Sequence, residues 1–439
     1  MTIVKNILSL SLLLLFCPFF LNAQNPYTIY PIPQEQVAGN GKAKFSLSQI
    51  EVICEEGIDE VTRQRLVGIL NTWNETHPEI QAAITTDNWL TQPTNTQCTK
   101  IFLGINGSNG AADSKVTEKG LSRGVFSQEG KFDRHIVDIS SSNDSPYAEI
   151  IILGEHTDAV FYGLASLEQM LDQSEESELD FATLNDYADQ QSRGLVEGYY
   201  GYPYTITVKK DLMKFMMRHK MNTYMYGVKG DPYHSEHWTE AYPTSITPEQ
   251  EKNGWLTQEM IKDLTKTATE SKVNFVWAIH PGNSFTNSST VISDIMGKYD
   301  KMHKLGVRQF AVFVDDVDVP QDASVHVLNA NRVTELQQAL EAKYNAPGAV
   351  ATDTVKPLHF VPQVYASSFV GESVRRSFFQ ALSKTPKNVT IYTTGWGVWS
   401  VPNSSDLYVV KEDLGRDVAW WWNYPCNDNA DGQLYTMDT

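Results

Sequence analysis

QFAVFVDDVDVP, residues 309–320, runs from an apolar segment straight into three carboxylates within four positions. Gln309 to Val314 reads as a buried strand, because a short continuous apolar run bounded by turn residues suits a strand covered on both faces. Asp315 and Asp316 then sit where that strand opens into its loop. Three readings are open for such a cluster: a solvated turn, a site for a hard cation, or a pair that shares acid–base chemistry.

Working outward, strand-length apolar runs recur at 194–200, 222–226, 273–279, 309–314, 358–365, 389–394 and 418–424. Helical patterns lie between most of them. Residues 211–220 place Leu212, Phe215, Met216 and His219 on one face, and residues 331–344 do the same with Val333, Leu336 and Leu340. Strict alternation of strand and helix over this length predicts α/β architecture of the (β/α)8 TIM-barrel type. A doubly wound open sheet is the runner-up, but no GxGxxG opens the first unit. Seven strands are legible and not eight. The expectation is a barrel truncated after its seventh strand in a piece of a longer protein, or one short strand that escapes the pattern.

Upstream, residues 24–187 read as a small α/β domain, and the barrel occupies 188–439. Strands are expected at 49–54, 100–103 and 149–153, and helices at 59–73 and 158–171. IYPIPQEQ (29–36) reads as a proline-punctuated edge, and QSEESELD (173–180) as a solvated bridge between domains. Residues 1–23 carry Lys5 before the apolar run Ile7–Leu15 and end at Ala23, the pattern of an export signal. Lipidation at Cys17 is the lesser reading, since Phe16 is bulky. No other stretch is long and apolar enough to span a membrane.

The formal net charge is −18. Such a chain repels polyanions, which argues against nucleic acid as a partner. Of the 4 cysteines, Cys17 lies in the signal. A Cys54–Cys98 bridge is open, but the spacing is neither a disulfide scaffold nor a metal motif. The 10 Trp and 20 Tyr fit either a large core or a surface for sugar rings.

In a barrel of this type chemistry gathers at the C-terminal strand ends. Those ends read EGYYG (197–201), YGVKGDPYH (226–234), WAIHPG (277–282), DDVD (315–318), PQVY (362–365), TTGWG (393–397) and WWWNYPCND (420–428). Polar groups and flat aromatics converge there, which is what a carbohydrate site needs. Crowding two carboxylates should push one of them toward its protonated, general-acid form. Adjacent aspartates cannot flank a glycosidic bond in the usual two-carboxylate manner. They suit a variant in which the substrate's own 2-acetamido oxygen is the nucleophile. His280 reads as a satisfied barrel histidine, and His234 with His237 as a weak metal alternative.

Taken in order, RGLVEGYYGYPY, MNTYMYGVKGDPYH, VNFVWAIHPG, LGVRQFAVFVDDV, VPQVY, TTGWGV and WWWNYPCND resemble glycoside hydrolase family 84, the β-N-acetylglucosaminidases that include O-GlcNAc hydrolases and hyaluronidase-like enzymes. YPIPQ and VFYGLASLEQML resemble the small α/β domain that precedes the barrel there and in family 20. The resemblance implies that Asp315 orients and polarises the acetamido group and Asp316 is the general acid/base. It implies sugar contacts from Gly198, Lys229, Tyr365, Thr394, Val398, Trp421, Asn423 and Asp428. It implies no metal and no organic cofactor, and N-acetylglucosamine-containing glycans as partners. The departures are VKGD where the family reads PKDD, PQVY for PTEY, Tyr204 for a tryptophan, and an apparent insertion at Thr244–Trp255. A last binding asparagine is expected beyond Thr439. An inactive carbohydrate-binding barrel and an endo-acting glycosaminoglycan or mucin hydrolase are the alternatives. Oligomeric state is not legible.

Overall fold

The computed structural model describes residues 25–142, 144–174, 177–199, 203–400, 410–411 and 414–423. Two compact units divide after Asp189.

The first unit is a six-stranded mixed sheet. Its strands are β1 (Glu35–Lys44), β2 (Ile50–Cys54), β3 (Thr99–Ile105), β4 (Phe132–Ser141), β5 (Ala148–Gly154) and β6 (Glu178–Ala188), in the order β1-β6-β4-β5-β3-β2. β2, β3 and β5 run parallel, while β4 is antiparallel to β5 and β6. Every residue of β5 is buried because both faces are covered. Ile150 and Ile152 pack with Leu66, Leu70, Leu164 and Leu167 of helices Glu60–Thr76 and Thr157–Leu171. Ile151 and Leu153 pack on the other side with Ala112 and Val116 of helix Ala111–Glu118.

One expectation is corrected here, two strands appear that the pattern did not show, and one open reading is closed. Glu178–Asp180 does not lie in a solvated bridge but opens β6, whose residues Leu179, Ala182 and Leu184 are buried. β1 and β4 carry too many polar residues for a simple alternation and pair through tertiary contact. Cys54 and Cys98 are both buried free thiols, not a bridge.

The second unit is a curled sheet of parallel strands in sequence order: β7 (Gly194–Glu197), β8 (Thr223–Tyr226), β9 (Asn274–Ile279), β10 (Gln309–Phe313), β11 (His359–Val361), β12 (Thr390–Thr393) and β13 (Ala419–Trp420). These are the seven runs expected, each trimmed at its ends. Helices begin earlier than their apolar faces indicate. Thr205 caps helix Ile206–Arg218 by accepting from the Val208 amide at 3.3 Å, and Asp322 caps Ala323–Tyr344 from Ser324 at 2.9 Å. Side chains alternate across each strand. Met225, Val276, Ala278, Ala311, Phe313 and Val361 fill the concave interior, while Tyr224, Tyr226, Val312 and Phe360 face the helices. No helix among the described residues is long and apolar enough to cross a membrane.

Candidate active site

Phe313 points into the interior and Val314 away from it, so the period of two returns Asp315 to the interior side. Asp315 is only 9% exposed. By the same alternation Asp316 should point outward. Its backbone prevents this: φ at Asp316 is +55°, a left-handed turn that aspartate tolerates better than most residues. The chain breaks there, and both aspartates reach one cation. Lys229 Nζ lies 3.0 Å from Asp315 Oδ2 and 3.0 Å from Asp316 Oδ2.

That shared ammonium revises the expectation of two carboxylates repelling each other. Burial opposes the Lys229 charge, but the two carboxylates outweigh it and hold its ammonium well above the ordinary lysine range. The environments of the pair still differ. The Asp316 side chain is 35% exposed. Asp315 Oδ1 is buried and accepts no hydrogen bond among the described residues. His280 Nε2–H donates to the Asp315 carbonyl at 2.7 Å, which holds the strand end. Asp318 is exposed, and among the described residues its carbonyl accepts from Gln363 at 3.1 Å.

The other expected residues that are described adjoin Phe313 or one another. The Trp421 indole meets the Phe313 ring edge-on at 5.4 Å. A β-carbon on Gly198 would lie 3.3 Å from the same indole, so the glycine lets backbone and ring approach closely. Trp421 Nε1 donates to Asn423 Oδ1 at 2.8 Å, and Asn423 Nδ2 donates to the Val398 carbonyl at 3.0 Å. Among the described residues one lone pair and one amide hydrogen of Asn423 have no partner. The Thr394 amide donates to the Tyr365 carbonyl at 3.0 Å, and Thr394 Oγ1 donates to Gly397 O at 2.6 Å. Thr394 itself is buried, and the half-buried Tyr365 ring packs against the interior cluster. Asp428 lies outside the described residues.

His234 does not point to a metal. It is fully buried, bonds the Ala278 carbonyl at 2.8 Å through Nδ1, and is pushed down to about 3 by burial, so it is neutral. His237 pairs at the surface with Glu240 at 3.1 Å.

Two buried networks went unrecognised in the sequence. Under Gly198, Glu197 accepts from the Tyr224 hydroxyl, from the Tyr204 amide at 3.0 Å, and from Lys209 Nζ at 3.1 Å. Beside Lys229, Asp231 accepts from Tyr226 at 2.8 Å, Tyr242 at 2.5 Å and the Tyr233 amide at 2.9 Å. Burial pushes Asp231 up to about 6. Burial also pushes Lys298 down to about 7, and its ammonium lies 4.8 Å from the Tyr242 ring centre and 5.2 Å from that of Trp277. Glu197 and Asp231 sit in the quoted strand-end motifs, so their position was legible. Lys298 carries no such signal, because nothing in a helix sequence says which lysine is roofed by aromatics.

The departure at Gly230 has a local cause. A β-carbon there would stand 2.7 Å from the Asn253 carbonyl. The segment read as an insertion, with its short helix Pro248–Lys252, fills the space an aspartate side chain would need.

The family model for β-N-acetylglucosaminidase matches residues 193–438. Protein O-GlcNAcase from Rattus norvegicus is 32% identical over 250 residues, covering 55% of this chain and 25% of that protein. The Mus musculus protein of the same name matches with the same identity and coverage. The chain thus spans a quarter of the length of these curated relatives. Among solved structures, CpGH84D superposes with a TM-score of 0.73 at 28% identity, over 92% of this chain and 61% of that one. CpGH84B superposes with a TM-score of 0.69 at 23% identity, over 93% and 64%, a likeness of fold.

Proposed function

Because the chain belongs to the β-N-acetylglucosaminidase family, glycoside hydrolase family 84, we propose that it is an exported retaining hydrolase of terminal β-linked N-acetylglucosamine, acting by substrate assistance. The observation that carries this reading is the unequal pair. Among the described residues Asp315 has one oxygen anchored on Lys229 and the other, Oδ1, buried with no hydrogen-bond donor, the His280 Nε2 standing off at 3.8 Å. A buried acceptor left open is costly unless a ligand supplies the missing proton. An acetamido N–H is such a donor.

In the first step the acetamido oxygen attacks the anomeric carbon. The glycosidic bond breaks, and the leaving oxygen takes a proton from Asp316. Asp315 accepts the N–H hydrogen bond and stabilises the positive charge that grows on the acetamido group as the oxazoline forms. In the second step Asp316, now a carboxylate, removes a proton from water. That water attacks the anomeric carbon from the face the aglycone left, the oxazoline C–O bond breaks, and configuration is retained. Lys229 stays protonated throughout and keeps both aspartates in place. The export part of the proposal rests on residues 1–23, which lie outside the described residues.

The test is hydrolysis of an aryl N-acetyl-β-glucosaminide whose leaving group needs little protonation. Asp315→Ala should lose activity by about a thousandfold or more, whereas Asp316→Ala should retain a larger share and be rescued by azide. Equal losses in both variants with every leaving group would sink the division of roles. Saturable sugar binding with no turnover by the unaltered chain would favour a binding barrel instead.

A further inference from the structure

We propose that Trp396 and Trp399, with Trp422 beside them, form a stacking platform for a sugar ring on the leaving-group side, so that the preferred substrates are N-acetylglucosamine-terminated oligosaccharides. This rests on the hydrolase reading above and adds the class of aglycone.

Trp396 is 50% exposed, Trp399 61% and Trp422 44%. Large aromatics left in water at one place mark a binding surface. All three lie within two residues of a single hydrogen bond, the one from Asn423 to the Val398 carbonyl, and Asn423 also holds Trp421 in the site wall. The platform is therefore continuous with the candidate active site. It is also built firmly. Within the loop, the Gly397 amide donates to Ser400 Oγ at 2.7 Å and Thr394 Oγ1 donates to Gly397 O. From outside it, the Ser368 amide donates to Trp396 O at 2.9 Å, and the Arg375 guanidinium lies 5.7 Å from the Trp396 ring centre. An indole presented on a tied loop loses little entropy when a ligand arrives.

On the hydrolase reading the terminal sugar would occupy the interior between Trp421 and the aspartates, so whatever covers the mouth would belong to the rest of the substrate. Flat indoles fit the apolar C–H face of a pyranose. A peptide offers such a face only at particular side chains such as proline, whereas every further pyranose presents one.

The experiment compares kcat/KM for N-acetyl-β-glucosaminyl fluoride, a neutral trisaccharide ending in β-linked N-acetylglucosamine, and a short peptide carrying the same sugar on serine. It uses the full chain and its Trp396→Ala and Trp399→Ala forms. The trisaccharide-to-fluoride ratio should fall by about tenfold in each variant, while the peptide-to-fluoride ratio moves less than twofold. An unchanged trisaccharide ratio overturns the platform, and an equal fall for the peptide overturns the choice of a sugar. Failure of the unaltered chain to hydrolyse the fluoride would defeat the hydrolase reading instead. Calorimetric binding of the trisaccharide then decides the platform: weaker binding by Trp399→Ala upholds it and equal binding overturns it.

Discussion

At Lys229 one ammonium faces two carboxylates, each at 3.0 Å. Removing that charge while leaving both aspartates in a partly buried mouth costs more than the loss of a surface ion pair. Lys229→Gln should therefore lower kcat/KM by roughly a hundredfold or more, with the thermal midpoint moving only a few degrees. Steady-state kinetics beside a melting curve checks this, and a loss below about fivefold would remove Lys229 from the site. The residue types in this cluster were legible: a strand that ends in DD, and a lysine at a neighbouring strand end. The ammonium seated between the carboxylates was not. It depends on the left-handed turn at Asp316, and alternation along a strand assigns that residue to the other side. The expected sugar contact at Asn423 has a second task for the same kind of reason. Its amide bonds Trp421 and Val398 across two loops that only the fold brings together.

Among the elements, the segment Thr244–Trp255 shows how a loop rewrites a motif. The Asn253 carbonyl occupies the place where a side chain at position 230 would start. Gly230→Asp should force the helix Pro248–Lys252 away from the mouth and cost about 1–3 kcal/mol, the range for overpacking. Denaturant unfolding measures the cost, and an unchanged midpoint would mean that the segment yields freely. The inner strands of the barrel, β8 to β11, were legible because each is buried almost throughout and reads as a continuous apolar run. β1, β4 and β6 were not, because polar and apolar residues mix along them and their pairing is set by partners distant in sequence. β1, for instance, pairs with β6, more than a hundred residues away. Helix starts were legible only to within several residues, since the first turn is fixed by a cap and not by an apolar face.

For the whole molecule, acid sensitivity follows from histidines sealed in the barrel. Burial pushes both His234 and His359 from 6.5 down to about 3. Between those values the unfolded chain holds a proton on each that the folded chain refuses, so stability falls as pH drops through that window. Asp231 works the other way. Its value rises from 3.8 to about 6, so the folded state holds the extra proton there and gains stability as pH falls between them. From these three groups the balance is about one proton taken up on unfolding between about pH 6 and 4, a loss on the order of 1 kcal/mol per pH unit in that window. Urea midpoints at pH 6.5 and 4.5 test this, and a flat profile would contradict it. Asp231→Asn should steepen the slope by removing the opposing group.

By itself the sequence determined the order of strands and helices in the barrel, the family, and the two aspartates with most of the wall around them. Those features are written locally, as apolar runs, turn residues and strand-end motifs. Only the tertiary structure decided which way Asp316 turns, that Lys229 bridges the pair, that Asp315 Oδ1 is buried with no hydrogen bond among the described residues, and that three tryptophans are left exposed near the mouth. Each of these is set by contacts between segments distant in the chain, and burial and charge pairing exist only once those segments have met.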